Sequence, residues 1–290
     1  MINDFQYLAP KTLKEALALL DKYQDDCKVI CGGQSLLVLM RQGLVAPPYL
    51  IDIKGVSELS YIKDEKNGLK IGATTTHRTI EKSAVIKQKY PVLAKMETRL
   101  ASIQTRNWGT IGGNVCHGDP AGDPAPVFIA LGATFTMTGS KGKRSMPAED
   151  FTLDYFETAL KEGELLTEIS LPPVPAKTGS AYYKFNVIES DLATVSVAAT
   201  VTLDTGDICK DVRIALGASA PTPLRSKKAE AILKGKKITD ALLAQAGEAA
   251  AKEAEPLSDI YASEEYRREL IKVLVPRLTK EAMANAKKAK

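Results

Sequence analysis

Apolar residues recur at helical spacing after Thr12: Leu13, Leu17 and Leu20 share one face. Thr12 followed by Glu15 is a capping-box pattern that starts this helix. The next apolar runs are shorter. "KVIC" (28–31) and "YLIDI" (49–53) predict buried strands, and "SLLVLMRQG" (35–43) between them predicts a helical turn stopped near Gly43. Strand, turn, helix and strand in that order predict a small parallel unit. "SYIKDEKNGLKIGA" (60–73) then alternates about Asn67-Gly68 and predicts a hairpin. Helices are expected over 77–83 and 91–102, and "APVFIALGA" (125–133) predicts a buried helix. "TFTMTGSKGKRSM" (134–146) predicts a second hairpin, turning at Gly139 and Gly142. "LLTEISL" (165–171) is a strand, and Pro172, Pro173 and Pro175 mark a boundary behind it. Beyond lie the strands "TVSVAATVTLD" (194–204) and "DVRIALGAS" (211–219). Three helical stretches then run over 225–235, 239–254 and 263–289. The order is α+β with two or three lobes.

Charge and composition remove several functions. The 290 residues carry 39 Lys and Arg against 35 Asp and Glu, a net charge of +4, with no basic stripe suited to nucleic acid. Only the tail "KKAK" (287–290) is locally basic, and it is expected to be a solvated helix end. No stretch approaches the ~20 apolar residues of a membrane span, and "MINDFQYLAPKTL" lacks the pattern of a signal peptide. Four cysteines (Cys27, Cys31, Cys116 and Cys209) form no ladder, which suits a reduced cytoplasmic compartment. Cys27 and Cys31 have no second pair to complete a metal site, and two histidines, His77 and His117, argue against a metal held by imidazole.

Two glycine pairs remain to be explained. Glycine admits φ > 0 and lets a ligand approach bare backbone. Successive N–H groups in such a turn form an anion site, and a following helix adds its dipole. "ICGGQSLL" has this form: Ile30, Cys31, Gly32, Gly33, then Gln34 and Ser35 as donors, then Leu36 opening a helix. "GTIGGN" repeats it with Gly109, Thr110, Ile111, Gly112, Gly113 and Asn114. One such loop suits a phosphate, and two suggest a diphosphate held between them; either alone is equally well a tight turn. Asp123 can accept from sugar or polyol hydroxyls, can N-cap the helix after it, or can do both. His117 and Asp119 are read as polar loop residues beside a ligand rather than as an acid–base or metal pair.

"CGGQSLLVLM" (31–40) and "TIGGNVCHGDPAGD" (110–123) resemble the two flavin-binding signatures of the FAD-binding medium subunits of molybdenum hydroxylases, the xanthine dehydrogenase and carbon monoxide dehydrogenase family. "LIDI" (50–53), "KIGATTTH" (70–77), "LLTEISLP" (165–172) and "ALGASAPTPLRSKKAEAIL" (215–233) extend the resemblance along the whole chain. Cys31 stands where relatives often have Ala. The resemblance implies a vanillyl-alcohol-oxidase (PCMH)-type FAD-binding fold of two α+β subdomains, over 1–55 and 56–175, ahead of a C-terminal domain over 176–290. That domain would hold a three-stranded antiparallel sheet and helices. By the same resemblance both glycine loops hold the FAD diphosphate and Asp123 faces the polyol chain. Cys116 meets the flavin, and Leu165, Leu166, Lys184 and Leu192 line the isoalloxazine or its edge. The implied function is an FAD-carrying oxidoreductase subunit that takes electrons from [2Fe-2S] clusters of a small partner subunit. Its source would be a molybdenum cofactor on a large subunit, in a dimer of heterotrimers, with no catalytic side chain of its own. FAD is expected to be non-covalent. A free-standing flavin oxidase and a non-redox nucleotide-binding assembly module are the alternatives.

Overall fold

The computed structural model describes residues 3–289. Met1 and Ile2 of the opening segment and Lys290 of the basic tail lie outside the described residues.

The first unit contains β1 (Gln6–Leu8), α1 (Leu13–Tyr23), β2 (Cys27–Ile30), α2 (Leu36–Arg41) and β3 (Tyr49–Asp52). Its sheet is parallel in the order β1-β3-β2, with Val29 opposite Ile51. The parallel pair β2–β3 follows the sequence pattern; the short edge strand β1 has no such signal. Thr12 Oγ1 accepts from Glu15 N–H at 3.2 Å. The Glu15 carboxylate, however, turns to Lys11 N–H at 2.8 Å rather than to the cap residue itself. Ala16, Leu17 and Leu20 pack on Ile51, Ile53 and Leu165.

The second unit begins with β4 (Ile62–Glu65), β5 (Gly68–Gly72), α3 (His77–Lys82), α4 (Ala84–Lys89), α5 (Pro91–Arg99), α6 (Ile103–Trp108), α7 (Ile111–His117) and α8 (Pro124–Leu131). It ends with β6 (Thr134–Gly139), β7 (Gly142–Pro147), β8 (Thr152–Asp154), β9 (Glu157–Thr158) and β10 (Leu165–Leu171). The main sheet is antiparallel, in the order β4-β5-β10-β6-β7. The first hairpin pairs Glu65 with Gly68, so Lys66 and Asn67 form the turn and not Asn67-Gly68. Gly68 opens β5 at φ +121°, where a Cβ would sit 2.0 Å from the Leu171 carbonyl oxygen. The helix expected over 91–102 stops at Arg99. Ala101 has φ +41°, and Ser102 starts α6 by accepting from Thr105 N–H at 3.2 Å.

The third unit holds β11 (Thr178–Phe185), β12 (Val195–Leu203), β13 (Cys209–Gly217), β14 (Leu224–Arg225), α9 (Lys227–Leu233), α10 (Asp240–Glu253) and α11 (Glu264–Lys288). Three long antiparallel strands form its sheet, and two-residue β14 extends one edge. Alternation along β12 divides the faces. Val195, Val197, Ala199 and Val201 meet α10 and α11, whereas Tyr182, Ala198 and Ala215 pack with Phe128 of α8 in the core of the second unit. Gly217 keeps this second face low, since a Cβ there would lie 2.9 Å from Pro126 Cγ. Among the described residues no helix is long and apolar enough to cross a membrane.

The α10–α11 contact allows a test in which two effects oppose. A Cβ on Gly247 would fall 2.7 Å from Lys272 O and 2.9 Å from Pro276 Cγ. Helix propensity favours Gly247→Ala by about 1 kcal/mol, whereas overpacking costs about 1–3 kcal/mol. The expected outcome in urea denaturation is net destabilisation; a more stable variant would show that the helices slide apart freely.

Candidate functional site

A cleft of about 810 Å³ runs between the first two units and under the 184–192 segment of the third. Ile30, Cys31, Gly32, Gly33, Gln34, Ser35 and Leu36 line it on one side. Ile53 N–H donates to Ile30 O at 3.0 Å and so fixes the end of β2. The chain then turns through Gly33 at φ +69°, in the left-handed region that glycine tolerates. Among the described residues, the N–H groups of Gly32, Gly33, Gln34 and Ser35 meet no protein acceptor. Gln34 Nε2 donates to Gly32 O at 2.9 Å and braces the turn. These four N–H groups stand at the mouth of α2, in residues that line the cleft.

The second segment is built differently. Gly112 and Gly113 lie in the first turn of α7, not in a loop before it, and Thr110 is the N-cap. Ile111 N–H donates to Thr75 O at 3.0 Å, Gly112 N–H to Ala73 O at 2.9 Å and Gly113 N–H to Thr110 Oγ1 at 3.3 Å. A second cradle made from these N–H groups is therefore corrected: they already have acceptors in the chain. Gly112 instead lets α7 press on the turn after β5, since a Cβ there would be 2.6 Å from Ala73. Gly109, Thr110, Gly113 and Asn114 still line the cleft; Ile111 is buried behind it. The two segments touch where Gly32 meets Gly109. A Cβ on Gly32 would lie 2.6 Å from Gly109 Cα and 2.6 Å from Trp108 O.

Asp123 also departs from one expectation. It has helical φ and ψ and makes no capping bond to α8. Its Oδ2 accepts from Lys184 Nζ at 2.8 Å, and its Oδ1 accepts from the Tyr182 hydroxyl. Lys184 Nζ donates further to Asp191 O at 2.9 Å, which ties down the 186–192 segment. Asp123 is 4% exposed and Lys184 1%. Burial pushes the Asp123 carboxyl above the ordinary range, and Lys184 opposes that push. A carboxylate has about four acceptor sites, so two bonds leave room for ligand hydroxyls.

Leu165 and Leu166 of β10 form a buried wall, and Leu192 lies exposed at the opposite rim. Burial pushes the Cys31 thiol to about 11 and the Cys116 thiol to about 12, so both line the cleft as neutral groups. Cys27 instead points its thiol at Gln24 O, 3.1 Å away, so it shares no site with Cys31. His117 packs against Phe156 with ring centroids 5.2 Å apart, and Asp119 Oδ1 accepts from Ala121 N–H at 2.8 Å; both are polar residues of the cleft wall. Sequence reasoning missed His77 as a lining residue. Its only local signal is its place behind the N-cap Thr76, and its partner Glu97 lies two helices further on.

The family model described as the FAD binding domain in molybdopterin dehydrogenase matches residues 3–174, and that of the CO dehydrogenase flavoprotein C-terminal domain matches 180–282. The chain belongs to this family. It is 36% identical to the carbon monoxide dehydrogenase medium chain of Hydrogenophaga pseudoflava over 97% of each sequence. It is 34% identical to the glyceraldehyde dehydrogenase medium chain of Sulfolobus acidocaldarius, covering 96% of this chain and 98% of that one. Among solved structures, the H. pseudoflava carbon monoxide dehydrogenase lacking the Mo-pyranopterin moiety superposes with a TM-score of 0.96 at 37% identity, over 98% of this chain and 99% of that one. Quinoline 2-oxidoreductase of Pseudomonas putida 86 superposes at 0.92 with 34% identity, over 99% of both chains. The α+β architecture, an FAD-binding part followed by a C-terminal domain, is that of the family.

The buried pair joining the second and third units gives a direct test. Asp123→Ala leaves the Lys184 ammonium buried without its partner, which costs about 3–5 kcal/mol. The double variant Asp123→Ala/Lys184→Met should recover part of that loss in urea denaturation of the apo chain. Additive losses would mean that the two groups act independently.

Proposed function

We propose that the chain holds FAD non-covalently in this cleft, as the FAD-carrying subunit of a multi-subunit molybdenum hydroxylase. In that assembly it relays electrons from the [2Fe-2S] clusters of a small partner subunit to an external acceptor. The carrying observation is the row of four N–H groups around Gly33 that meet no protein acceptor among the described residues, in the wall of a cleft of about 810 Å³, in a chain of this family. That row fits a diphosphate. A Cβ at Gly32 would clash with the Gly109 and Trp108 backbone that floors the same cradle. Thr110, Asn114 and Ser35 add side-chain polar groups along it. Asp123 offers its remaining acceptor sites to the polyol hydroxyls. Leu165, Leu166, Lys184 and Leu192 surround the place expected for the ring system, and Cys116 lies across the cleft as a neutral thiol. When bound, FAD supplies the exchange between one-electron and two-electron chemistry. The chain's own work is to bind, orient and partly desolvate it.

The medium chains that this protein resembles are matched over nearly their whole length, which supports a subunit rather than a free-standing oxidase. The partners in this reading are the iron–sulfur small subunit and a large subunit carrying the molybdenum cofactor, in a dimer of heterotrimers. Its cysteines are free, which suits the cytoplasm. We further propose three functional units divided at residues 55/56 and 175/176: three apolar clusters follow them in the main, with Val56, Leu59 and Leu165 joining the first and Tyr182, Ala198 and Ala215 the second.

Titrating the apo chain with FAD and separating free flavin by gel filtration tests the assignment. We expect one FAD per chain, released from the polypeptide by acid. Gly33→Val forces a branched residue to φ +69°, at a cost of about 1–2 kcal/mol from the αL penalty alone, and should abolish retention. Gly113→Val should weaken binding for a different reason: its Cβ would fall 2.9 Å from Thr110 Oγ1 and displace the hydroxyl that caps α7 at the cleft wall. Full flavin occupancy in Gly33→Val would show that this segment is an ordinary turn.

A further inference from the structure

A second buried pair borders the cleft, and the reading above gives it no role. His77 is 2% exposed and Glu97 0%. His77 Nδ1 lies 3.0 Å from Glu97 Oε2 and 3.2 Å from Oε1, and among the described residues these are the ring's only hydrogen bonds. His77 N–H also donates to Gly109 O at 3.1 Å. The ring lines the cleft, and its Cδ2 lies 3.2 Å from where a Gly109 Cβ would stand. Cδ2 is bonded to Nε2. The partnerless edge of a buried imidazole is therefore set beside Gly109, where the two glycine segments meet.

A proton on Nε2 makes that edge a donor. Burial raises the Glu97 carboxyl above its ordinary range, and His77 opposes the rise. With one proton held between Nδ1 and the carboxylate, and one on Nε2, the pair is neutral overall. This holds whichever side of the hydrogen bond the shared proton occupies. Removing the second proton would leave a net negative charge buried near Asp123 and Glu81, with a lone pair facing the cradle. The other basic side chains on the cleft wall do not substitute: Lys28 is exposed at β2, His117 packs on Phe156, and Lys184 is engaged by Asp123.

We propose that His77 is a diphosphate-binding residue, its Nε2–H aimed into the cradle, with Glu97 behind it to fix the ring and its protonation. This rests on the FAD reading and adds a donor that neither glycine segment contains. The Gly33 turn grips the anion with main chain, and His77 grips it with a side chain carried by α3.

The test separates the two ring nitrogens and the two halves of the ligand. In His77→Asn the amide reaches the Nδ1 position and can keep Glu97 but cannot reach the cradle; in His77→Gln it reaches the Nε2 position. Dissociation constants of the full-length chain would be measured for FAD, for ADP by displacement, and for riboflavin, which has no phosphate. Melting curves of the apo chains check folding. His77→Asn should weaken FAD and ADP by about 10–100-fold, the range for a hydrogen bond to a charged group, and leave riboflavin unchanged. His77→Gln should stay within about threefold of wild type, the change expected when the bond is retained. Wild-type FAD affinity in folded His77→Asn would overturn the proposal, and so would an equal loss for riboflavin. Should His77→Asn fail to fold, a tenfold or greater loss of FAD affinity in a folded His77→Gln would overturn it. A wild-type chain that takes up no FAD would sink this proposal and the cofactor assignment together, an outcome distinct from those.

Discussion

Two lengths of bare backbone meet at Gly32 and Gly109, and the site depends on that contact. A single Cβ at position 32 would lie 2.6 Å from Gly109 Cα and 2.6 Å from Trp108 O. Interiors are too closely packed to absorb such an overlap without moving main chain. The contact brings the parallel unit against α6 and α7 and sets the Gly33 turn at the wall of the cleft. Gly112 does the same one layer deeper, where α7 rests on Ala73. The glycines in the two motifs thus divide their roles: Gly33 supplies an unusual φ, whereas Gly32 and Gly112 supply closeness.

The third unit is held to this arrangement by polarity as well as by packing. Tyr182 and Lys184 project from the same face of β11 and reach Asp123 at the head of α8, while Ala198 and Ala215 give α8 a low surface to lie on. A buried ion pair contributes little net stability compared with a well-packed apolar contact, because both charges must leave water. Its value here is positional. Lys184 also bonds the Asp191 carbonyl, so the same ammonium that meets Asp123 sets the rim of the cleft where Leu192 stands.

Much of this was legible in the sequence because it depends on local rules. Gly33, Gly43 and Gly132 take positive φ where turns or helix ends require it, and Thr110 caps α7 through its own hydroxyl. The parallel β2–β3 unit and both hairpins follow from apolar period, although the first hairpin turns one residue before Asn67-Gly68. What local rules could not reveal depends on contacts between distant residues. Nothing near Gly112 announces Ala73, and nothing near Asp123 announces Lys184 sixty-one residues later. An Asp before Pro is a sound local reason to expect an N-cap, but here a buried ammonium outcompetes the helix N–H groups. The break between α5 and α6 was hidden for a similar reason, since the positive φ at Ala101 runs against residue preference. His77 and Glu97 are ordinary helix residues until α3 and α5 pack together.

The proposed relay requires that electrons reach this cleft from outside it, from another subunit of the assembly. The most direct measurement is anaerobic stopped-flow mixing of the FAD-loaded chain with the pre-reduced iron–sulfur subunit proposed as its partner, following flavin absorbance. The account predicts rapid bleaching of the flavin on mixing, and no bleaching when the partner is omitted or left oxidised. A flavin that stays oxidised beside a reduced, associated partner would contradict the relay, even if the chain binds FAD tightly.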